Sequence, residues 1–502
     1  MASISLKYPS GSHYIYALTF FERFSFYGLR AVLVFFLLEQ LNIDSAETFE
    51  IYASCLALHF MTPLLGGWLG DNFLGNQRMI YLSGLVMGVG FVFLIYPYAH
   101  SFYFALGAVI LGSGCFRSNL ISLFGKLYEK KNEARDAGFT YFQVVSNIAV
   151  VVGPLICGLV IEFWGWTAVF WCLAISTLIT LWVLYRARVS FGYHGREPSA
   201  TSRALANTSH NSVKAFFIIV LIIFIPLLGF LIWQNEWLGM VVPIVTLCAV
   251  ILLFYYGLTQ KILGKMLMIF FLMIFFLMIF MVGFLALFEQ SKMLLLLFIN
   301  SNADRSFEAF LGPNLGQLFS QYHEIPPIVF RSMNGIFVII LGPLYAYYWN
   351  RLTRRKKNPI PTVKFGIGLF LAAIAFAFLA FSRHYSSEDG FVSLWWVVAT
   401  YFFYTAGELC IIPIGLSAIT RIAPNKISGV VVGTWLLAGA IAYWVSKAIG
   451  HFLTPPAEAY NAMCTLTTYC DHFGMLAWIS FALSLIILLV SPFTRRFFAS
   501  IK

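Results

Sequence analysis

RARVSFGYHGREPSATSRALANTSHNSVKA, Arg186 to Ala215, is the only long stretch rich in Ser, Thr and Asn in a chain of 502 residues, and what flanks it decides the fold. A helix crossing about 30 Å of hydrocarbon needs about 20 apolar residues. Working back from Arg186, six such spans read near 14–39, 49–70, 78–99, 102–125, 137–163 and 167–186. Working forward, two follow near 214–234 and 237–257. Six more lie near 266–299, 326–349, 362–382, 392–420, 429–450 and 473–493. The polar stretch is then a linker between two sets of six spans, with two extra spans inserted after it. The expected segments are 1–190 for an amino-terminal six-helix bundle, 191–260 for the linker and inserted pair, and 261–502 for a carboxy-terminal six-helix bundle.

The composition agrees with fourteen spans in an all-α integral membrane protein. The chain is 60% apolar and 11% charged, with a mean hydropathy of +0.83. A soluble chain of this length carries roughly 125 charged residues, against 32 basic and 21 acidic here. The net charge of +11 is spread between apolar spans instead of gathered on a solvated module, which argues against nucleic acid as a partner. Its placement is topological: outside the spans, Arg305 and Arg383 alone fall in one set of loops, and the other set holds the remaining Lys and Arg. Both termini are therefore expected on the cytoplasmic side. The amino terminus, MASISLKYPSGSH, has no signal-peptide pattern, so the first span is expected to be retained. Cys464 and Cys470 flank a polar CTLTTYC stretch expected in an outer loop, where they either close a small disulfide or stay free.

Two helical halves joined by a cytoplasmic linker is the layout of a rocker-switch transporter. No G-x-x-x-x-G-K-[ST] phosphate loop and no H-E-x-x-H pair occurs, so neither an ATP-driven pump nor a metallohydrolase is supported. No cofactor is expected beyond a proton as coupling ion.

An ionisable group inside the bilayer costs roughly 2.5 to 3.5 kcal/mol on insertion scales, so each one within a span is a functional candidate. The first span, TFFERFSFYGLRAVLVFFL, carries Glu22, Arg23 and Arg30. Steps of four and three place Arg23, Tyr27 and Arg30 on one helical face. Glu22 neutralises its neighbour Arg23 in part, which leaves Arg30 for an anionic ligand. Arg117 lies in the fourth span, Glu289 and Lys292 three apart in the ninth, and Glu408 is the sole carboxylate of the twelfth. Cations in the amino-terminal half and anions in the carboxy-terminal half suit a zwitterion such as a small peptide. Asn147 and Asn334 either hold a ligand's backbone groups or tie helices together. Trp435 either walls a side-chain pocket or packs. His59, mid-span, either packs or carries a proton.

These residues sit in motifs that resemble the proton-dependent oligopeptide transporter family, a branch of the major facilitator superfamily, in its bacterial form. ERFSFYGLRAVLVFFL is similar to the first-helix E-x-x-E-R-F-x-Y-Y-G signature, and GGWLGDNFLGNQR to the superfamily's loop after the second helix, with Asp71, Gly75 and Arg78 in its gating positions. FRSNLIS, FTYFQVVSNIAVVVGP and GELCIIPIGLSAITRIAP resemble the fourth-, fifth- and tenth-helix patterns.

The resemblance implies the major facilitator fold and import of di- and tripeptides with protons by alternating access across a bacterial inner membrane, by a chain expected to act as a monomer. Uncoupled or differently coupled movement of another peptide-like amphiphile is the alternative. It also implies residue roles: Arg30 and Arg117 for the peptide carboxylate, Glu408 for its amino group, Asn147 and Asn334 for the backbone amide, and Tyr27 for a further hydrogen bond. Glu22, Arg23 and Glu289 fall at proton-coupling positions, with Glu289 paired to Arg117. Five positions depart from the pattern: Thr19 replaces the first glutamate of E-x-x-E-R, Arg117 a lysine, Ser118 a proline, Phe26 a tyrosine and Gln143 another tyrosine. Thr19 removes a residue tied to coupling, and a guanidinium at 117 stays charged where a lysine could release a proton.

Overall fold

The structure is a computed structural model and describes residues 8–96, 99–128, 134–196, 210–234, 237–259, 264–312, 324–325, 327–330, 332–453 and 462–500. In hydrocarbon every backbone N–H and C=O must be satisfied within its own segment, and these apolar stretches accordingly form helices. The long ones are α1 (Ser12–Glu39), α2 (Ser45–Leu69), α3 (Asn76–Leu94), α4 (Ala99–Leu127) and α5 (Arg135–Phe191). The inserted pair is α6 (His210–Trp233) and α7 (Leu238–Thr259). Then come α8 (Gly264–Asn302), α9 (Met333–Arg354), α10 (Pro361–Phe381), α11 (Leu394–Ile422), α12 (Ser428–Leu453) and α13 (Ala462–Ser500). A two-residue parallel pairing joins β1 (Ala303–Asp304) to β2 (Val392–Ser393).

α5 contains two of the expected spans. Gly165, at φ 77° and ψ −177°, breaks it between them, a conformation open to glycine because it has no Cβ. At the other end of the chain, α13 starts eleven residues before the expected span, so CTLTTYC is helix and not loop. The hydroxyls of Thr467 and Thr468 return to the Cys464 carbonyl at 2.8 and 2.9 Å. A polar run whose side chains bond back within the helix continues it instead of ending it. Cys464 and Cys470 are both free. Six residues apart on one helix, their Cα atoms are separated by about 9 Å of rise, beyond what a disulfide spans.

The chain divides into two compact units, one of residues 1–276 with 416–440 and the other of 277–415 with 441–502. In the first, α1 packs on α5, α3 on α4 and α5, and α2 on α4, while the inserted α6 lies against α4. That last crossing is close: a Cβ on Gly107 would meet the Gly229 nitrogen and the Ile225 carbonyl at 2.9 Å. Small residues at such crossings let backbones approach where lipid offers no hydrophobic drive. The amino-terminal half of α12 closes on α2 more tightly still, with the Gly429 carbonyl 2.1 Å from where a Cβ of Gly67 would sit. In the second unit α10 packs on α13, and the Phe284 and Phe288 rings stack on Tyr404 at 5.1 and 5.0 Å.

Candidate functional site

Three groups of buried polar side chains stand out, two in the first unit and one in the second. The first group is centred on α1. Arg23 and Glu22 form an ion pair, with Nε donating to Glu22 Oε2 at 2.6 Å. Ser113 of α4 donates to the same carboxylate at 2.7 Å. Tyr27 lies between the two arginines as the helical spacing predicts, its ring 5.7 Å from the Arg23 guanidinium and 5.9 Å from that of Arg30. Arg30 Nε donates to the Tyr52 hydroxyl of α2 at 2.8 Å. Arg117, one helical turn beyond Ser113 on α4, keeps a buried Nε with no hydrogen-bond partner among the described residues, and is close enough to Arg23, Tyr27 and Glu22 to interact electrostatically with each. Beside Arg30 a cavity of about 20 Å³ is lined by Phe26, Leu29, Tyr52, Cys55 and Leu106. That is room for one water-sized body, far below a dipeptide. Thr19, at the departed glutamate position, turns its hydroxyl back to the Ile15 carbonyl at 2.7 Å and takes no part in the cluster. Asn147 likewise donates within its own helix, to the Gln143 carbonyl at 3.0 Å.

In the second unit, Glu408 is buried on α11 at 3% exposure. Asn334 of α9 donates to its Oε2 at 2.7 Å and to the Thr405 hydroxyl at 3.1 Å. The two residues assigned to a peptide's amino group and backbone are thus in direct contact. Tyr404, one turn before Glu408, is close enough to Glu408 and Glu289 to interact electrostatically with both, and its hydroxyl donates to the Phe284 carbonyl at 3.1 Å. The side chain of Lys292, three residues beyond Glu289, lies outside the described residues.

The third group is the loop after α2. Asp71 Oδ2 accepts the Val430 N–H at 2.9 Å, which seats a carboxylate on the first turn of α12, where unpaired N–H groups and the helix dipole favour negative charge. Lys126 of α4 approaches Oδ1 to 3.5 Å, an ion pair longer than a hydrogen bond. It also donates to Asn76 Oδ1 at 2.6 Å. Burial pushes the Asp71 carboxyl up to about 6, with Lys126 and the Val430 and Gly429 N–H groups opposing the rise. Arg78 is exposed on the first turn of α3. A second contact of the same kind joins α5 to α11, where Ser417 donates to Asp136 at 2.5 Å and Arg421 stands 3.9 Å away. Trp435 is fully buried in the part of α12 that belongs to the first unit.

Tyr52, Ser113, Lys126 and Thr405, which contact the candidate residues, were not singled out in the sequence. Two had a signal: Ser113 is four before Arg117 and Thr405 three before Glu408, so each shares a helical face with a buried charge. Tyr52 and Lys126 reach their partners from other helices, and nothing in the sequence marks them.

A model described as the POT family matches residues 77–466. Dipeptide and tripeptide permease A of Proteus mirabilis is 26% identical over 98% of this chain and 96% of its own length. The di-/tripeptide transporter of Lactococcus lactis subsp. cremoris is 29% identical over 90% of each. A solved peptide transporter in complex with alafosfalin superposes with a TM-score of 0.63 at 25% identity, covering 98% of this chain and 97% of that one.

Proposed function

The chain belongs to the POT family, and on that premise we propose that it imports di- and tripeptides together with protons by alternating access of a major facilitator fold. It is a transporter and not an enzyme. The observation that carries the reading is the set of charges held at the candidate positions: guanidiniums at Arg30 and Arg117 in one unit, where Arg23 is paired with Glu22, and the Asn334-bound carboxylate of Glu408 in the other. A zwitterion with its carboxylate on Arg30 and Arg117, its ammonium on Glu408 and its amide on Asn147 and Asn334 uses each group at the charge it carries. Tyr27 lends a hydroxyl and Trp435 walls a side-chain pocket. Glu22, Arg23 and Glu289 serve proton coupling, and Asp71 and Arg78 the cytoplasmic gate.

The working form is a single copy of the chain in a bacterial inner membrane, with both termini cytoplasmic, as the Lys and Arg placement indicates. One proton entering with a net-neutral peptide across about 100 mV supplies about 2.3 kcal/mol, enough for roughly fiftyfold accumulation. The test is dipeptide uptake into proteoliposomes with and without an inward-acid gradient. A higher initial rate and plateau under the gradient is expected. Equal rates and equal plateaus would replace the coupled mechanism with facilitated diffusion.

A further inference from the structure

His59 is 3% exposed on α2, and its Nδ1 has no hydrogen-bond partner among the described residues. A buried ring nitrogen left unsatisfied costs stability that a packing residue would not need to spend. The imidazole stacks on Phe26 with ring centres 3.8 Å apart and planes 20° from parallel. From α1 the groups around it are Glu22, Arg23, Tyr27 and Arg30, and from α4 Arg117; the three guanidiniums all act on it electrostatically. Residues 219–233 of α6, the described part of α7 and residues 428–440 of α12 carry no acidic, basic or histidine side chain. Asp71 lies twelve residues further along, about 18 Å of helix rise away.

A proton on His59 therefore joins three cations opposed by one carboxylate, and that carboxylate is already paired with Arg23. Bringing a second carboxylate to Arg30 and Arg117 offsets the added charge, and Nδ1 accepts the proton without breaking a bond it already makes. Phe26, where the family pattern has tyrosine, presents an aromatic face to the resulting imidazolium, a favourable cation–π geometry. Thr19 has vacated the usual coupling position and bonds only to its own helix.

We propose that His59 is the substrate-linked proton carrier of this transporter: it takes a proton from the external water when a peptide carboxylate reaches Arg30 and Arg117, and gives it to the cytoplasmic water once the peptide has left. The proposal rests on the peptide reading above and deepens it by adding His59 to the coupling groups Glu22, Arg23 and Glu289, as the one that gains its proton when the peptide carboxylate arrives.

The test uses the purified full chain in weakly buffered detergent with a pH-indicating dye. Wild type takes up about one proton per bound dipeptide, and none when saturated with the dipeptide's C-terminal amide. His59→Asn and His59→Gln abolish that uptake, keep dipeptide counterflow within about threefold of wild type, and lose gradient-driven accumulation, from roughly fiftyfold to near one. Unchanged proton uptake in both variants, or equal uptake with the amide, overturns the proposal. Where a variant does not fold, wild type labelled with 15N-histidine decides: one resonance passes from the neutral to the imidazolium position on adding dipeptide, and no such passage refutes the carrier. A wild type that neither binds nor exchanges dipeptide overturns the peptide reading and this inference together, an outcome distinct from loss of coupling alone.

Discussion

Asn334 ties its amide to Glu408, so the affinity of that carboxylate for an ammonium depends on a neighbour as well as on its own charge. A hydrogen bond to a charged group contributes about 1.5–3 kcal/mol. Asn334→Ala is accordingly expected to weaken dipeptide binding about tenfold or more by titration calorimetry, while Glu408→Gln and Arg30→Ala each abolish it and still elute as folded protein. Wild-type affinity in both Glu408→Gln and Arg30→Ala would refute the clamp. Asp71 makes a prediction in pH. Its carboxyl lies at about 6 in the fold against 3.8 for an ordinary aspartate, chiefly through burial. Between about pH 4 and pH 6 the folded protein thus holds a proton that the unfolded chain has released, so the group's contribution to stability is full below that window and is lost as pH rises through it. The shift corresponds to a change on the order of 3 kcal/mol. Relative to Asp71→Asn, the Tm of wild type is expected to fall from pH 4 to pH 6 and to run parallel above about pH 7. Parallel curves throughout would show that Asp71 is not raised.

Among the elements, the α2–α12 crossing has the least room to adjust, because backbone meets backbone. A Cβ at Gly67 would lie 2.1 Å from the Gly429 carbonyl oxygen, and no side chain can rotate away to relieve it. Gly67→Ala should therefore push α12 off α2, break the Asp71–Val430 bond and lower the counterflow rate tenfold or more. Gly158 on α5 has nothing within 4 Å of where a Cβ would sit, and Gly158→Ala should stay within twofold of wild type. Similar rates in the two variants would show that the crossing is not needed for transport. The helices themselves were largely legible: each of the fourteen expected spans corresponds to a helix or, in α5, to one side of Gly165. Their ends were less so. Thr467 and Thr468 look like a loop by polarity and continue α13 because their hydroxyls bond back to Cys464.

For the molecule as a whole, the scarcity of charge and its one-sided placement make a topology that thiol chemistry can read. Cys464 is exposed near the start of α13, Cys470 is buried, and both are free. A membrane-impermeant maleimide added to intact cells should label the protein once, and Cys464→Ser should remove the label; reaction only after the cytoplasmic side is opened would invert the topology. Membrane character, the helical spans, the family and the charged candidate residues came from sequence alone, because hydrocarbon excludes charge so strongly that each Arg or Glu within a span is conspicuous in a linear reading. Tertiary structure alone decided the partners. Tyr52 on Arg30, Ser113 on Glu22, Lys126 beside Asp71 and the stacking of His59 on Phe26 each join different helices. Apart from Ser113, which shares a helical face with Arg117, nothing in composition or periodicity announces these pairings until packing brings their helices together, because hydroxyls and rings incur little penalty in a span and Lys126 sits at a helix end among other loop cations.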